Sequence, residues 1–206
     1  KDYININQQT KLKELINKYN IDPFFSEKLD LLNNYGIVLL CDDSGSMNTS
    51  IKDNKNINLT RWDELKSVVN IVISIANVYD NNGIDIHFLN RGIYKNIKFE
   101  EQASICLEDM PCGGTPLTST LSVILEQYKD SKKPLLLVIA TDGVPTINGT
   151  LDLDNFKYVL QNKGDNVYIS FLACSDNNTD VDYLNELDKT ISNIDTLDDY
   201  KSELKE

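Results

Sequence analysis

Three stretches of the chain are almost continuously apolar: GIVLLC at 36–41, PLLLVIAT at 134–141 and NVYISFLAC at 166–174. Runs without polar alternation suit strands whose sheet is covered by helices on both faces, so they predict buried parallel strands. GIDIHFLN at 83–90 predicts a fourth strand, IYKNIKF at 93–99 a short edge strand with Lys outward, and TISNID at 190–195 a sixth. Between these runs the apolar positions change to helical spacing. TRWDELKSVVNIVISIANVYD sets Leu65, Val68, Val69, Val72, Ala76 and Tyr79 on one face, with Thr60 and Asp63 placed as a capping box. TPLTSTLSVILEQYKD sets Leu117, Leu121, Ile124, Leu125 and Tyr128 on one stripe, with Thr115 at the N-cap and Pro116 at the first helical position. Shorter helices are predicted at 100–109, 152–162 and 179–188. TLDDYKSELKE at 196–206 reads as a closing helix, acidic in its first turn and lysine-bearing later.

Alternating strands and helices predict an open α/β sheet with right-handed crossovers. Residues 1–35 are polar and helical, with KLKELINKY and FFSEKLDLL separated by a DP break. They are expected to pack beside the first strand as an N-terminal helical extension, leaving 36–206 as the domain proper. A chain of 206 residues is long enough for such a core.

Charge narrows the function classes. The net charge of −12 disfavours nucleic acid and anionic membrane surfaces, and favours cations and basic partner patches. No stretch approaches the length of a membrane span, and Lys1–Thr10 is not a signal peptide. Cys41, Cys106, Cys112 and Cys174 form no CxxC and no dense disulfide pattern, which points to a reducing, cytoplasmic setting. Acceptor patterns N-x-[ST] occur at Asn48, Asn58, Asn148 and Asn177, but a chain this rich in Asn, Ser and Thr yields about three by chance.

Three polar features follow buried strands or enter helices: D-x-S-x-S at Asp42, Ser44 and Ser46, Thr115 in GGTPL, and Asp142 in TDG. Open α/β sheets gather ligands outside the carboxyl ends of their strands, where strand order reverses. If strands 36–41 and 134–141 are neighbours there, all five side chains converge. Two carboxylates and three hydroxyls make a hard, oxygen-only set, suited to Mg²⁺ or Mn²⁺ before Ca²⁺ or Zn²⁺. A cation with so few anionic ligands stays electrophilic and accepts a carboxylate from a partner.

These three motifs, in this order, resemble the metal-ion-dependent adhesion site of von Willebrand factor type A (vWA) domains, matching at Asp42, Ser44, Ser46, Thr115 and Asp142. The resemblance covers residues 36–206 and implies a six-stranded, mostly parallel sheet between helices, with Mg²⁺ at its upper edge. It implies a binding module rather than an enzyme, in which an Asp or Glu of a protein partner completes the metal shell. In some members the last helix, here 196–206, moves on binding. The SGSM and GGTPL spellings look like intracellular members. Asp43 is not a ligand position of the family; with Asn48 and Gly114 it is placed on the partner-binding rim. The polar loop NTSIKDNKNINLT between Met47 and Arg61 is longer than the family's simplest form and would border the site.

Plainer readings stand beside these. DxSxS strings often only cap turns, Thr115 could serve purely as a helix cap, and Asp142 could be a turn residue before Gly143. His87 and Trp62 are expected in the core, His87 hydrogen-bonded. A Mg²⁺-dependent phosphohydrolase remains an alternative, although its D-x-D pattern needs a carboxylate where Ser44 stands. G-x-S-x-G and a P-loop lysine are absent. A scaffold with a purely structural metal is the third reading.

Overall fold

The computed structural model describes residues 6–21, 28–51, 59–175 and 178–197. Helix α1 (Ile6–Tyr19) and a 3-10 turn (Asp30–Asn34) lead into β1 (Gly36–Cys41), the first of six strands in one sheet. Then follow α2 (Arg61–Tyr79), β2 (Ile84–Phe88), β3 (Gly92–Ile97), α3 (Glu100–Cys106), α4 (Leu117–Tyr128) and β4 (Leu135–Thr141). A two-stranded hairpin, β5 (Thr146–Ile147) and β6 (Thr150–Leu151), precedes α5 (Leu153–Gln161), β7 (Val167–Ala173), α6 (Asn178–Thr190) and β8 (Ile194–Leu197). The sheet order is β3-β2-β1-β4-β7-β8, parallel throughout except for β3 at one edge.

β1 is the pivot of this order. It pairs with β2 on one side and β4 on the other, so strand order reverses between β1 and β4. Its residues Val38 and Leu40 face a core with α4, α5 and α6, where Leu121, Phe156 and Leu184 are fully buried. Leu39 and Cys41 face the opposite layer, against Trp62, Leu65, Val69 and Ile73 of α2. Burial on both faces explains the unbroken apolar run. The buried seam of α2 is Leu65, Val69, Ile73 and Ala76, with Val68, Val72 and Tyr79 only half-buried at its margin. The further apolar residues of α2 are explained by α1, which lies on its outer side. Leu15 is buried there, and Tyr19 meets Ser74 while Lys18 ion-pairs with Glu100 of α3. Helix α1 thus packs on α2 and α3, while the 3-10 turn Asp30–Asn34 runs directly into β1.

Three local expectations shift. Pro116 occupies the capping position and α4 begins at Leu117, so Thr115 stands one residue outside the cap. Thr115 pairs with Thr146 there, and the residue before a proline is disfavoured in helical geometry. The sixth strand lies at 194–197 rather than 190–195: Thr190 still belongs to α6, and Asn193 turns the chain with φ of 57°. Thr196 and Leu197 therefore extend β8, and the remainder of the expected closing helix, 198–206, lies outside the described residues, as does most of the polar loop, 52–58. Over β7, the sheet face carrying Tyr168, Ser170 and Leu172 is only half-buried, with Leu172 against the α2 layer. No described helix is long and apolar enough to cross a membrane.

Because Leu40 is fully enclosed at the centre of the pivot strand, Leu40→Ala should lower unfolding free energy by about 3 kcal/mol in urea titration, without changing metal response.

Candidate metal centre at the β1–β4 strand ends

The β1–β4 ladder runs one step past the strand, with Asp42 N–H donating to Ala140 O at 2.9 Å. This brings Asp42 beside Thr141 and Asp142 as the two strands end. Both carboxylates are almost wholly buried, Asp42 at 0% and Asp142 at 1% exposure. Asp42 Oδ1 accepts Ser44 N–H at 2.9 Å, and Oδ2 accepts the Thr141 hydroxyl at 2.6 Å. Ser44 and Ser46 hydroxyls lie 3.0 Å apart, and Ser46 Oγ donates to Asp142 Oδ1 at 2.8 Å. Direct hydrogen bonds thus join Asp42, Ser44, Ser46 and Asp142 into one chain. Ser44 is buried and Ser46 exposed, so the oxygen row runs from the interior to the surface.

Thr115 arrives by a different route. Its N–H donates to Thr146 Oγ1 at 3.2 Å and its carbonyl accepts Thr146 N–H at 2.8 Å, so the hairpin holds it from both sides. The loop before it is fastened over the DxSxS segment: Gly45 N–H to Gly113 O at 3.1 Å, Cys112 N–H to Asp43 O at 2.8 Å, and Asn48 Nδ2 to Pro111 O at 2.8 Å. Gly113 has φ of 95°, and a Cβ there would sit 2.5 Å from Asn90 Oδ1. The first glycine of GGTP is required by this close approach.

Asp43 lies beneath the rim rather than on it. It is 1% exposed; Oδ2 meets Arg91 Nε at 2.8 Å, and Oδ1 accepts from Asn90 N at 2.8 Å and Asn90 Nδ2 at 3.1 Å. Arg91 in turn stacks over Phe88 at 4.6 Å and Trp62 at 5.2 Å. Asn90 Nδ2 also donates to Gly114 O at 3.0 Å. Asp43 therefore works as a tether between β1, the β2–β3 turn and the loop carrying Thr115. Asn48 and Gly114 are exposed beside the oxygen row. His87 is buried away from the centre, edge-on to Tyr128, and its Nε2 has no hydrogen-bond partner, contrary to expectation. Burial pushes its pKa down.

Electrostatics are uneven across the two acids. Burial, and then the Asp142 charge, raise the Asp42 pKa to about 6, against the partly compensating bonds from Ser44 and Thr141. Asp142 is paired instead: Arg61, the first residue of α2, donates from Nη1 to Asp142 Oδ2 at 2.8 Å. Tyr183, packed from α6 with its hydroxyl donating to Gly143 O, has its pKa raised by burial and by both acids. Among the described residues no three His, Cys, Asp or Glu side chains cluster as a metal site. The donor set here is two carboxylates with hydroxyls.

No protein-family model matches the sequence, and the search of curated proteins found no relative. Solved structures do match. Manganese-loaded Plasmodium vivax TRAP protein aligns at TM-score 0.51 and 15% identity, covering 82% of this chain and 71% of that one. The pilus adhesin SpaC from Lactobacillus rhamnosus GG aligns at 0.52 and 15%, covering 79% of this chain and 28% of its own. Proximal thread matrix protein 1 from the mussel byssus, with a zinc-occupied MIDAS motif, aligns at 0.50 and 18%, covering 82% of this chain and 45% of its own. The fold is the vWA fold. This chain spans less than half the length of the adhesin and mussel proteins. At these identities the likeness concerns the vWA architecture, and the chemistry of the site rests on the residues above.

Arg61, Thr141, Thr146, Asn90 and Arg91 were not singled out from the sequence. For Thr146 a signal exists: TINGTL places Asn-Gly between short apolar-bearing arms, a hairpin pattern, and Asn148 and Gly149 adopt φ of 49° and 77°. The others are contacts between distant segments, with no local signature.

In EDTA, the raised pKa of Asp42 makes its contribution to stability full below about pH 4 and lost as pH rises through about 6. Asp42→Asn should therefore gain on the wild type by roughly 3 kcal/mol between pH 4 and pH 7.5, read from urea midpoints. Gly113→Ala should lower stability by about 1–2 kcal/mol through both its φ and the Asn90 collision, and weaken cation binding with it.

Proposed function

We propose that this vWA domain is a divalent-cation-dependent protein-binding module that recognises an Asp or Glu side chain of its partner. The observation that carries the reading is the convergence of Asp42, Ser44, Ser46 and Asp142, by direct hydrogen bonds, at the paired ends of β1 and β4. The loop before Thr115 is fastened to the DxSxS segment through Gly45 N–H to Gly113 O, and the hairpin holds the Thr115 backbone. Burial and, after it, the neighbouring Asp142 charge raise the Asp42 pKa, and a cation is the group that reverses this. The residues fit Mg²⁺ or Mn²⁺: Asp42, Ser44, Ser46 and Thr115 would hold it, with Asp142 through Oδ1, directly or by water. When bound, the ion supplies a Lewis-acid position that takes a carboxylate oxygen.

The polypeptide's own contribution is orientation. Thr141 and Ser44 N–H fix both oxygens of Asp42, Thr146 fixes the backbone of Thr115, and the Asp43–Arg91–Asn90 cluster keeps the loop 111–115 over the site. The phosphohydrolase alternative gains no support, since the position that needs a second carboxylate is Ser44 and the basic group bonded to the centre is Arg61, already on Asp142. The binding unit is the domain from residue 36, with 1–35 as an N-terminal extension whose helix α1 packs on α2 and α3. All four cysteines are free thiols, in keeping with an intracellular setting.

Stripping divalent ions and restoring Mg²⁺ should raise the melting temperature; at ten times the dissociation constant the gain is about 1.4 kcal/mol. Asp42→Ala should abolish that gain, and Mg²⁺-dependent capture of Asp- and Glu-bearing peptides should vanish with it. Capture that persists in EDTA would place recognition elsewhere on the surface.

A further inference from the structure

One side chain outside the oxygen-ligand pattern bonds to both segments that carry it. Asn90 stands in the turn between β2 and β3, and its Nδ2 donates to Asp43 Oδ1 at 3.1 Å and to Gly114 O at 3.0 Å. Its backbone N–H also donates to Asp43 Oδ1, at 2.8 Å. A carboxylate and a carbonyl only accept, so the amide uses both of its protons on this span. Asp43 lies between Asp42 and Ser44 in the chain, and Gly114 O belongs to the peptide unit that enters Thr115. The N–H of that same unit donates to Thr146 Oγ1 at 3.2 Å. The Gly114–Thr115 peptide is therefore gripped at both edges, by Asn90 on its carbonyl and by Thr146 on its N–H. The bonds from Gly45 to Gly113, Cys112 to Asp43 and Asn48 to Pro111 all end further back, at 111–113. Among these described contacts, the one made by Asn90 acts closest to Thr115.

We propose that Asn90 is a positioning residue that sets cation selectivity: it holds the Thr115 peptide and the DxSxS segment at a fixed separation, so that the centre takes a small octahedral cation and resists Ca²⁺. This rests on the metal-dependent reading above. Mg²⁺ requires near-ideal octahedral oxygens at about 2.1 Å, whereas Ca²⁺ takes up to about eight at about 2.4 Å. Neighbouring oxygens in the smaller shell stand about 3.0 Å apart. The row already has this spacing, with Ser44 Oγ 3.0 Å from Ser46 Oγ and Ser46 Oγ 2.8 Å from Asp142 Oδ1. Admitting Ca²⁺ moves facing oxygens apart by about half an ångström. Asp42 is held against such a movement by the β1–β4 ladder and the Thr141 hydroxyl. Thr115 sits on a loop, where hydrogen bonds alone resist it, and the Asn90 amide restrains the peptide beside the ligand. Both ions favour the same oxygen donors, so rigidity and cavity size are what separate them. Groups that orient ligands without touching the ion change metal affinity by about 10–100-fold when removed.

The test measures binding of Mn²⁺, which shares the octahedral oxygen shell of Mg²⁺. Free Mn²⁺ is read by electron paramagnetic resonance in the presence of the intact chain, with Ca²⁺ as competitor. Asn90 is exposed, so N90A leaves no buried cavity. The wild type should prefer Mn²⁺ to Ca²⁺ by about a hundredfold, and N90A should lower that preference about tenfold. N90L fills the same space without a donor and should behave as N90A; it decides the question if N90A does not fold. L40A, which lowers stability from inside the core, should keep the wild-type preference. A wild-type preference in the Asn90 variants, or an equal fall in L40A, would make Asn90 a brace of the turn alone. Either result overturns the proposal while leaving the metal reading intact, as does a wild type that binds Ca²⁺ as tightly as Mn²⁺. A wild type that binds no Mn²⁺ at all removes the metal reading itself.

Discussion

Placing two carboxylates in the interior at adjoining strand ends is the constraint around which this domain is organised. Asp42 and Asp142 are there because β1 and β4 are parallel neighbours in register, and the ladder carries both acids under the same cover. Buried like charges are unfavourable unless something opposes them. The structure opposes them unequally: Arg61 pairs with Asp142, while Asp42 receives hydrogen bonds from Ser44 and from the Thr141 hydroxyl. Much of the surrounding architecture, from the capped start of α2 to the fastened loop 111–115, holds these compensating groups in place.

The same constraint explains the weight of structure around one apparently spare acid. Asp43 adjoins Asp42 but is turned to the other side, where Arg91 stacked on Phe88 and Trp62 receives it. Consecutive residues leaving a strand point to opposite faces, so one acid is delivered to the candidate metal centre and the next to the tether. The tether joins the DxSxS segment to the loop that carries Thr115, two pieces otherwise distant along the chain.

Much of this was legible in the sequence, for physical reasons. Strands buried on both faces announce themselves as unbroken apolar runs, and five of the six fell close to their observed bounds. The centre was legible because strand ends gather ligands, so Asp42, Ser44, Ser46 and Asp142 could be expected to meet once β1 and β4 were neighbours. Side-chain pairings across long separations were not legible. Nothing local to Arg61 says that it turns inward, nor does Asp43 differ in sequence from an exposed rim acid. The start of α4 was displaced because the backbone of Thr115 pairs with Thr146, a tertiary contact that overrides the capping preference of threonine. The edge strand β8 slid because a left-handed Asn193, not the apolar pattern, decides where the chain re-enters the sheet.

The hairpin that holds Thr115 also has a mechanical side. Thr146 grips Thr115 through two hydrogen bonds, while Ile147 and Leu151 on the same short arms stand largely exposed. A two-residue turn leaves those arms little freedom to bend independently. Hairpin and Thr115 backbone are therefore held as one unit, with exposed apolar side chains on its arms and the GGTP loop fastened to it.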